Sequence, residues 1–291
     1  MFIGENRHSL KLGLPKGRMH EGIVKLMEDA GILLKGTERG YRPSINFPDT
    51  EVKILKPQNV VEMLDVGSRD LGFAGYDWVC ELQVDLVEIL DTGMDPVRVV
   101  AAAPHDILVD GHLPNQELLI ASEYQTLTEK WIAEEGLNAR FVRSYGATEV
   151  FPPEDADCIV DNTATGATLG ANNLAIVHEV MRSSTRLFAN RRAYENPKKR
   201  ALIDQFAMLL GSAIEGRRRV MVEVNVANEF LDAVVDAMPC MRGATVSHLR
   251  DNSGFAVKAA VPRAILPEVI PKIKSLGGTD IAVSRISQLI P

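Results

Sequence analysis

Short apolar runs alternate with segments whose apolar positions recur at helical spacing. Leu10–Leu14 reads as a strand that leads into Pro15-Lys16-Gly17-Arg18-Met19. Ile23, Leu26, Met27 and Ala30 then follow on one helical face, with Gly31 as the stop. Val52–Leu55 is the next strand, and Pro57 opens a helix carrying Val60, Val61 and Leu64 that ends near Gly67. Leu71–Gly75, Val87–Leu90 and Val97–Ala103 are further strands. Beyond Pro104, strands at Leu118–Ala121 and Phe141–Val142 flank a helix over Leu127–Glu135, and Cys158–Asp161 is a third. Leu174–Val180 and Thr185–Ala189 are two extended segments. Pro197–Glu215 is a long helix with Leu202, Phe206, Leu209 and Ala213 on one face. Strands alternating with helices predict βαβ units and a largely parallel sheet.

The tail has a different grammar. Val220, Val222, Val224 and Val226 alternate as in a half-buried strand. A helix over Glu229–Met238, strands Ala244–His248 and Phe255–Val261, a helix near Leu266–Leu276 and strand Ile281–Ser284 follow. That order, βαββαβ, predicts a ferredoxin-like domain.

Composition excludes several classes. The chain has 291 residues, 46% hydrophobic and 24% charged, which is globular and enough for two or three domains. No apolar run reaches the ~18 residues of a membrane span, and residues 1–14 lack the apolar stretch of a secretory leader. Cys80, Cys158 and Cys240 lie far apart without metal-ligand spacing, so a reducing, cytoplasmic setting is expected. The net charge of −7 argues against general nucleic-acid binding. Residues 1–216 carry a net −10 and residues 217–291 a net +3, and the change of sign marks a boundary near Arg217-Arg218-Arg219.

The sharpest chemical feature runs from Cys158 to Leu169. An apolar strand ends in Asp161, and Asn162-Thr163-Ala164-Thr165-Gly166-Ala167-Thr168 follows. Backbone N–H groups and threonine hydroxyls in such a loop suit a phosphate, and Gly166 permits close approach. Asp161 stands where a ribose presents paired hydroxyls. Lys16 and Arg18, just after the first strand, suit a pyrophosphate or triphosphate at the carboxyl edge of the sheet. They also suit a solvated helix start, although cations there oppose the helix dipole. Asp77 reads equally well as a helix cap. Arg39 and Arg42 are loop cations that either reach a phosphate or are solvated, and no histidine shows metal spacing.

The loop is similar to the phosphoribosyl-pyrophosphate loop of phosphoribosyltransferases. Leu14-Pro15-Lys16-Gly17-Arg18, Asp70–Asp77, Gly146-Ala147-Thr148-Glu149 and Thr165–Leu169 occur in the order found in the ATP phosphoribosyltransferase family. The resemblance covers essentially the whole chain, and the tail resembles that of the long form. Two departures stand out. The segment between Glu149 and Asp161 is one residue short of the common signature, with Asp155 in place of a glycine, and Asn162 replaces an aliphatic residue.

The resemblance implies an α/β catalytic unit with the two-lobed, type II periplasmic-binding-protein-like fold, plus a C-terminal ferredoxin-like βαββαβ regulatory domain. Lobe one is expected over residues 1–103 and 186–214, lobe two over 104–185, and the regulatory domain over 217–291. It implies condensation of ATP with 5-phosphoribosyl 1-pyrophosphate to N1-(5-phosphoribosyl)-ATP and pyrophosphate, the first step of L-histidine biosynthesis. Lys16, Arg18, Glu149 and Asp161 are the implied catalytic set. Asp161, Asn162, Thr163, Ala164, Thr165, Gly166, Ala167 and Thr168 bind phosphoribosyl pyrophosphate, while Lys16, Gly17 and Asp77 border ATP. Mg2+ neutralises the pyrophosphate, with no side chain assigned as its ligand. Feedback by L-histidine through Asn225, Met241, Thr245 and Asp280, and a homo-oligomer with dimer and hexamer forms, complete the expectation. Asn225 is neutral where the family often has an acid. Nothing points to a nucleic-acid or membrane partner. A solute-binding protein would share the lobes but normally carries an export signal. A small-molecule sensor could use the tail but does not require a ribose-phosphate loop.

Overall fold

The computed structural model describes residues 9–36, 40–241 and 243–291; Arg39 lies outside them. Two compact units result. One holds the described residues up to Ile23 with Leu34–Asp204, and the other holds Val24–Leu33 with Gln205–Pro291.

In the first unit, strand β1 (Leu10–Pro15) leads into helix α1 (Arg18–Asp29). The short strands β2 (Leu34–Lys35) and β3 (Ser44–Ile45) pair with each other. Then come β4 (Thr50–Leu55), α2 (Pro57–Asp65), β5 (Leu71–Gly75) and α3 (Tyr76–Glu81). Strand β6 (Leu86–Pro104) is 19 residues long. Beyond it lie β7 (Leu118–Ser122), α4 (Gln125–Glu135), β8 (Ala139–Arg143), β9 (Cys158–Thr163) and the short α5 (Ala167–Ala171). Strand β10 (Leu174–Asn190), of 17 residues, returns toward α6 (Arg191–Glu195) and α7 (Pro197–Arg218).

These strands form one sheet in the order β4-β1-β5-β10-β6-β9-β7-β8. The parallel expectation holds only at its flanks, where β1 pairs β4 and β5, and β7 pairs β8 and β9. The centre is antiparallel, because β10 runs against both β5 and β6, and β6 against β9. The two strands expected over residues 87–103 are one strand, and so are the two expected over residues 174–189. Register shifts such as those between Ser183 and Thr185, and the left-handed backbone of Asp95, interrupt the apolar pattern while the ladder continues. Two sub-sheets that share β6 and β10 make this unit two-lobed.

The lobes have separate cores. Val60, Val61, Leu64, Ala74 and Phe188 bury one side of lobe one. Ile120, Tyr124, Trp131, Cys158 and Val160 lie in lobe two. Asp70, at the entry to β5, is buried and accepts hydrogen bonds from the Lys11 N–H (2.9 Å) and the Lys199 ammonium (2.7 Å), which ties α7 to the sheet.

In the second unit the buried face of α7 is Phe206, Leu210, Ala213 and Ile214. Leu209, expected on that face, is half-buried instead, because Leu210 and Ile214 take its place one position on. Strands β11 (Arg219–Val226), β12 (Thr245–His248), β13 (Phe255–Pro262) and β14 (Thr279–Arg285) order as β12-β13-β11-β14. Helices α8 (Leu231–Asp236) and α9 (Leu266–Ser275) complete the ferredoxin-like arrangement. Helix α8 is shorter than its pattern suggested, since residues 228–230 form a 3-10 turn. Val220, Val222, Val224 and Val226 are buried with Val234, Val257 and Ile273.

Gly72 and Gly13 face each other across β5 and β1. A Cβ on Gly72 would stand 2.7 Å from Val60 Cγ1 and 3.2 Å from the Gly13 carbonyl. Gly72→Ala should therefore destabilise the fold by about 1–3 kcal/mol through overpacking. Gly22→Ala, in α1 with nothing within 4 Å of the added carbon, should be neutral or stabilising. Urea unfolding of both variants checks the contrast.

Candidate active site

Strand direction decides where the chemistry collects. Gly75, at the carboxyl end of β5, pairs with Thr185 of β10. Thr163, at the carboxyl end of β9, pairs with Arg98, which itself pairs with Arg182 of β10. The carboxyl edges of the two lobes therefore meet at the middle of β10, the edge at which open α/β sheets bind ligands.

From lobe two comes the loop after β9. Gly166 has φ +84°, a left-handed conformation, and its N–H donates to Thr163 Oγ1 (2.9 Å). The Ala167 N–H donates to Thr165 Oγ1 (3.3 Å). Thr163 is buried and braces the turn, whereas Ala164, Thr165, Ala167 and Thr168 are exposed along a cavity of about 200 Å3. Asp161, Glu149 and Arg18 line the same cavity. The shortened segment before Asp161 thus still brings Glu149 to it, on a 3-10 turn over Thr148–Val150.

Burial pushes the Asp161 carboxyl up to about 6; the Asn162 N–H (2.7 Å) opposes this, and the charges of Glu149 and Glu123 add to it. Glu149 and Asp161 offer the hard oxygen donors that a divalent cation accepts. Among the described residues no three His, Cys, Asp or Glu side chains converge, so a cation here would take its remaining ligands from substrate phosphates and water.

From lobe one, Lys16, Gly17 and Arg18 follow β1 and are exposed. Gly17 has φ +87°. Arg18 borders both the loop cavity and a neighbouring cavity of about 110 Å3 lined by Gly75, Asp77, Trp78 and Tyr124. Lys16 borders neither. Arg42 is elsewhere, beside Lys11 and Arg69 near the start of β4.

Asp77 does not cap its helix. Gly75 holds the N-cap position of α3, and the Asp77 carboxylate is buried. It accepts from Ser183 Oγ (2.7 Å) and from the Tyr124 hydroxyl (2.7 Å), and the Ser183 hydroxyl in turn accepts from the Asp77 N–H (3.0 Å). A side chain at Gly75 would collide with the Asp77 carboxylate. Tyr124 also accepts from Asn162 Nδ2 (2.9 Å) and stacks on Trp78 with ring centroids 4.9 Å apart. Burial, and then the adjacent Asp77 charge, push the Tyr124 phenol well above its usual range, so it stays protonated.

Tyr124 and Ser183 went unrecognised in the sequence. The only signal was the apolar strand ending in Ser122, which places Tyr124 at the carboxyl edge. Glu81 was missed as well; its carboxylate, raised by burial, accepts from the Thr126 and Leu127 N–H groups (3.1 Å each) and caps α4 from α3.

The remaining expected residues lie in the second unit. Asn225 Nδ2 donates to Asp280 Oδ2 (3.1 Å), and Asp280 has a left-handed backbone (φ +47°). Thr245 pairs with Lys258 across β12 and β13 and is exposed, as is Met241 in the preceding loop. The sheet order puts Thr245 at the opposite edge from Asp280.

Comparison with known proteins gives the family. Residues 56–212 match the family model described as ATP phosphoribosyltransferase, and residues 216–288 match that of its C-terminal domain. The chain belongs to the ATP phosphoribosyltransferase family. The ATP phosphoribosyltransferase of Chlorobaculum parvum is 36% identical over 99% of this chain and 100% of its own length. That of Pelotomaculum thermopropionicum is 34% identical over 97% and 99%. A solved structure, the ATP phosphoribosyl transferase (HisG:HisZ) complex from Thermotoga maritima, aligns with a TM-score of 0.61 and 26% identity. The alignment covers 69% of this chain and 98% of that one. Both matched family domains make this a long-form ATP phosphoribosyltransferase, and phosphoribosyl transfer in this family requires a divalent metal.

Asp161 carries a measurable signature. Its folded pKa of about 6 lies above the ordinary 3.8, so between those values the folded form binds more protons than the unfolded form. Stability then falls as pH rises through that window. Asp161→Asn should be more stable than the parent at pH 7 by about 1–3 kcal/mol, and the difference should vanish below the ordinary carboxylate pKa. Thermal unfolding at pH 7 and at pH 3.5 checks the sign; an Asn variant less stable at pH 7 would overturn the burial argument.

Proposed function

We propose that the cavity between the phosphoribosyl loop and Arg18 is where this ATP phosphoribosyltransferase joins its two substrates. The observation that carries this reading is the meeting of Asp161, Glu149, Arg18 and the Thr165-Gly166-Ala167-Thr168 turn on one cavity. Adenine N1 attacks the anomeric carbon of 5-phosphoribosyl 1-pyrophosphate, the bond to the pyrophosphate oxygen breaks with inversion, and N1-(5-phosphoribosyl)-ATP and pyrophosphate result. The transition state has oxocarbenium character, so catalysis rests on positioning and charge.

In this reading the 5-phosphate rests on the loop from Asn162 to Thr168, with the Thr165 and Thr168 hydroxyls donating to it. The Asp161 carboxylate accepts hydrogen bonds from the ribose hydroxyls. Glu149 lies beside it and favours developing positive charge on the ring. Arg18, with Lys16 and Gly17 at the end of β1, holds the pyrophosphate and the nucleotide phosphates, and Asp77 orders the ATP side through Tyr124. Mg2+ supplies charge neutralisation to the pyrophosphate when bound. A cytoplasmic enzyme that works as a homo-oligomer, in dimer and hexamer forms, fits the reduced cysteines and the separate tail. No helix among the described residues is long and apolar enough to cross a membrane.

The tail is read as the seat of feedback by L-histidine. Asn225, Asp280, Met241 and Thr245 supply polar and backbone groups at element ends, and the Asn225–Asp280 contact (3.1 Å) supports a ligand amine or imidazole at that point. Inhibition requires that histidine favour one state of the enzyme over another.

Gly166→Val tests the loop. A β-branched residue is strained at a left-handed position, so KM for phosphoribosyl pyrophosphate should rise about tenfold or more, equivalent to about 1.4 kcal/mol. KM for ATP should change little; equal changes in both would remove the loop from phosphate binding. Calorimetric titration of the full chain with L-histidine should give saturable heat that Asp280→Ala weakens. No heat from an active preparation would leave the tail a purely assembling domain.

A further inference from the structure

The second unit contains a basic cleft that none of the preceding chemistry uses. Its arginines come from register. At one end of the four-stranded sheet, Arg219 begins β11 and pairs with Pro262, so Arg263 follows directly at the end of β13. On the other side of β11, Val220 pairs with Arg285, the last residue of β14. β11, β14 and the turn that follows β13 therefore deliver three guanidinium groups to the same sheet end, and Arg217 joins them from the end of α7. The cleft has a volume of about 500 Å3, within the range of small-molecule sites.

The charges at its rim do not cancel. Asp29 is paired with Arg217 (2.8 Å) and Lys25 (3.2 Å), Glu28 with Lys25 (3.6 Å), and Glu215 with Arg218 and Arg219 (3.2 and 3.5 Å). Every carboxylate there has its own cation. Among the described residues, the Arg263 and Arg285 side chains have no ion-pair or hydrogen-bond partner, and both border the cleft. The opposite wall is fixed by backbone. A Cβ on Gly216 would stand 2.7 Å from the Ser287 carbonyl oxygen, the Leu289 N–H donates to the Ser212 carbonyl (2.8 Å), and Gln288 Nε2 donates to the Asp29 carbonyl (3.2 Å). A close approach permitted only by glycine thus holds residues 286–289 against the ends of α1 and α7.

We propose that this cleft binds a polyphosphate group, of the di- or triphosphate class, at a site separate from the phosphoribosyl loop. Two uncompensated guanidinium groups in a pre-built cleft select an anion of at least two charges, and their planar forks match phosphate oxygens bidentately. The polyphosphate chain is either free or part of a nucleotide.

Isothermal titration of the full chain with inorganic tripolyphosphate tests the site. Lys16→Met/Arg18→Met, which removes the cations assigned above to the substrate phosphates, should retain a saturable binding event. Arg263→Ala/Arg285→Ala should keep kcat and thermal stability while that event weakens roughly 100-fold. Titrating Lys16→Met/Arg18→Met with ATP separates the sources: affinity above that of tripolyphosphate identifies a nucleotide site, and equal affinity a site for the phosphate chain alone. Unaltered binding by Arg263→Ala/Arg285→Ala, or no tripolyphosphate binding by Lys16→Met/Arg18→Met, would overturn the proposal.

Discussion

The antiparallel crossing of β6 and β10 is the constraint on which the first unit depends. These strands, 19 and 17 residues long, belong to both lobes at once. Were the lobes joined by coil, their carboxyl edges could stand in any relation. Here each lobe is hydrogen-bonded to a different stretch of the same ladder, so the ends of β5 and β9 are brought to adjacent positions by register alone. Site geometry thus follows from backbone pairing before any side chain is considered.

On that frame the site concentrates uncompensated polar groups, which a stable core avoids. The Asp161 carboxyl is half-buried, is in no ion pair among the described residues, and carries its elevated pKa as a result. A carboxylate held in this condition is ready to accept hydrogen bonds from any hydroxyl donor that enters the cavity, and its desolvation is offset when they form. Asp70, at the entry to β5 in lobe one, shows the contrary solution, where a lysine ammonium and a backbone N–H satisfy a buried carboxylate and its role is structural.

How legible this was in the sequence depended on range. Local patterns were readable: the alternation of Val220 to Val226, the Pro57 helix start and the strand at Leu71–Gly75 all rest on neighbouring residues. The loop from Asp161 to Thr168 was readable for the same reason. Contacts across long sequence separations were not. Gly93 and Asp95 look like a break between two strands, because a turn and a bulge share the same local chemistry. Asp77 looks like a cap, because its partners Tyr124 and Ser183 are 47 and 106 positions away. The arginine cleft draws Arg219 from β11, Arg263 from the turn after β13 and Arg285 from β14, strands whose pairing no single segment encodes.

The hydroxyl of Tyr124 has one hydrogen, and Asp77 receives it. Whatever meets the phenol oxygen from the other side must therefore be a donor, and Asn162 meets it with its amide NH2. The same nitrogen stands 3.5 Å from Asp161 Oδ1. The amide thus has a single permitted orientation, with its carbonyl oxygen turned away from both partners. An aliphatic residue at this position would be electrically silent. With asparagine, the one buried proton held between Tyr124 and Asp77 is felt across the lobes, and it sets the sign of the dipole that residue 162 presents to the cavities it lines.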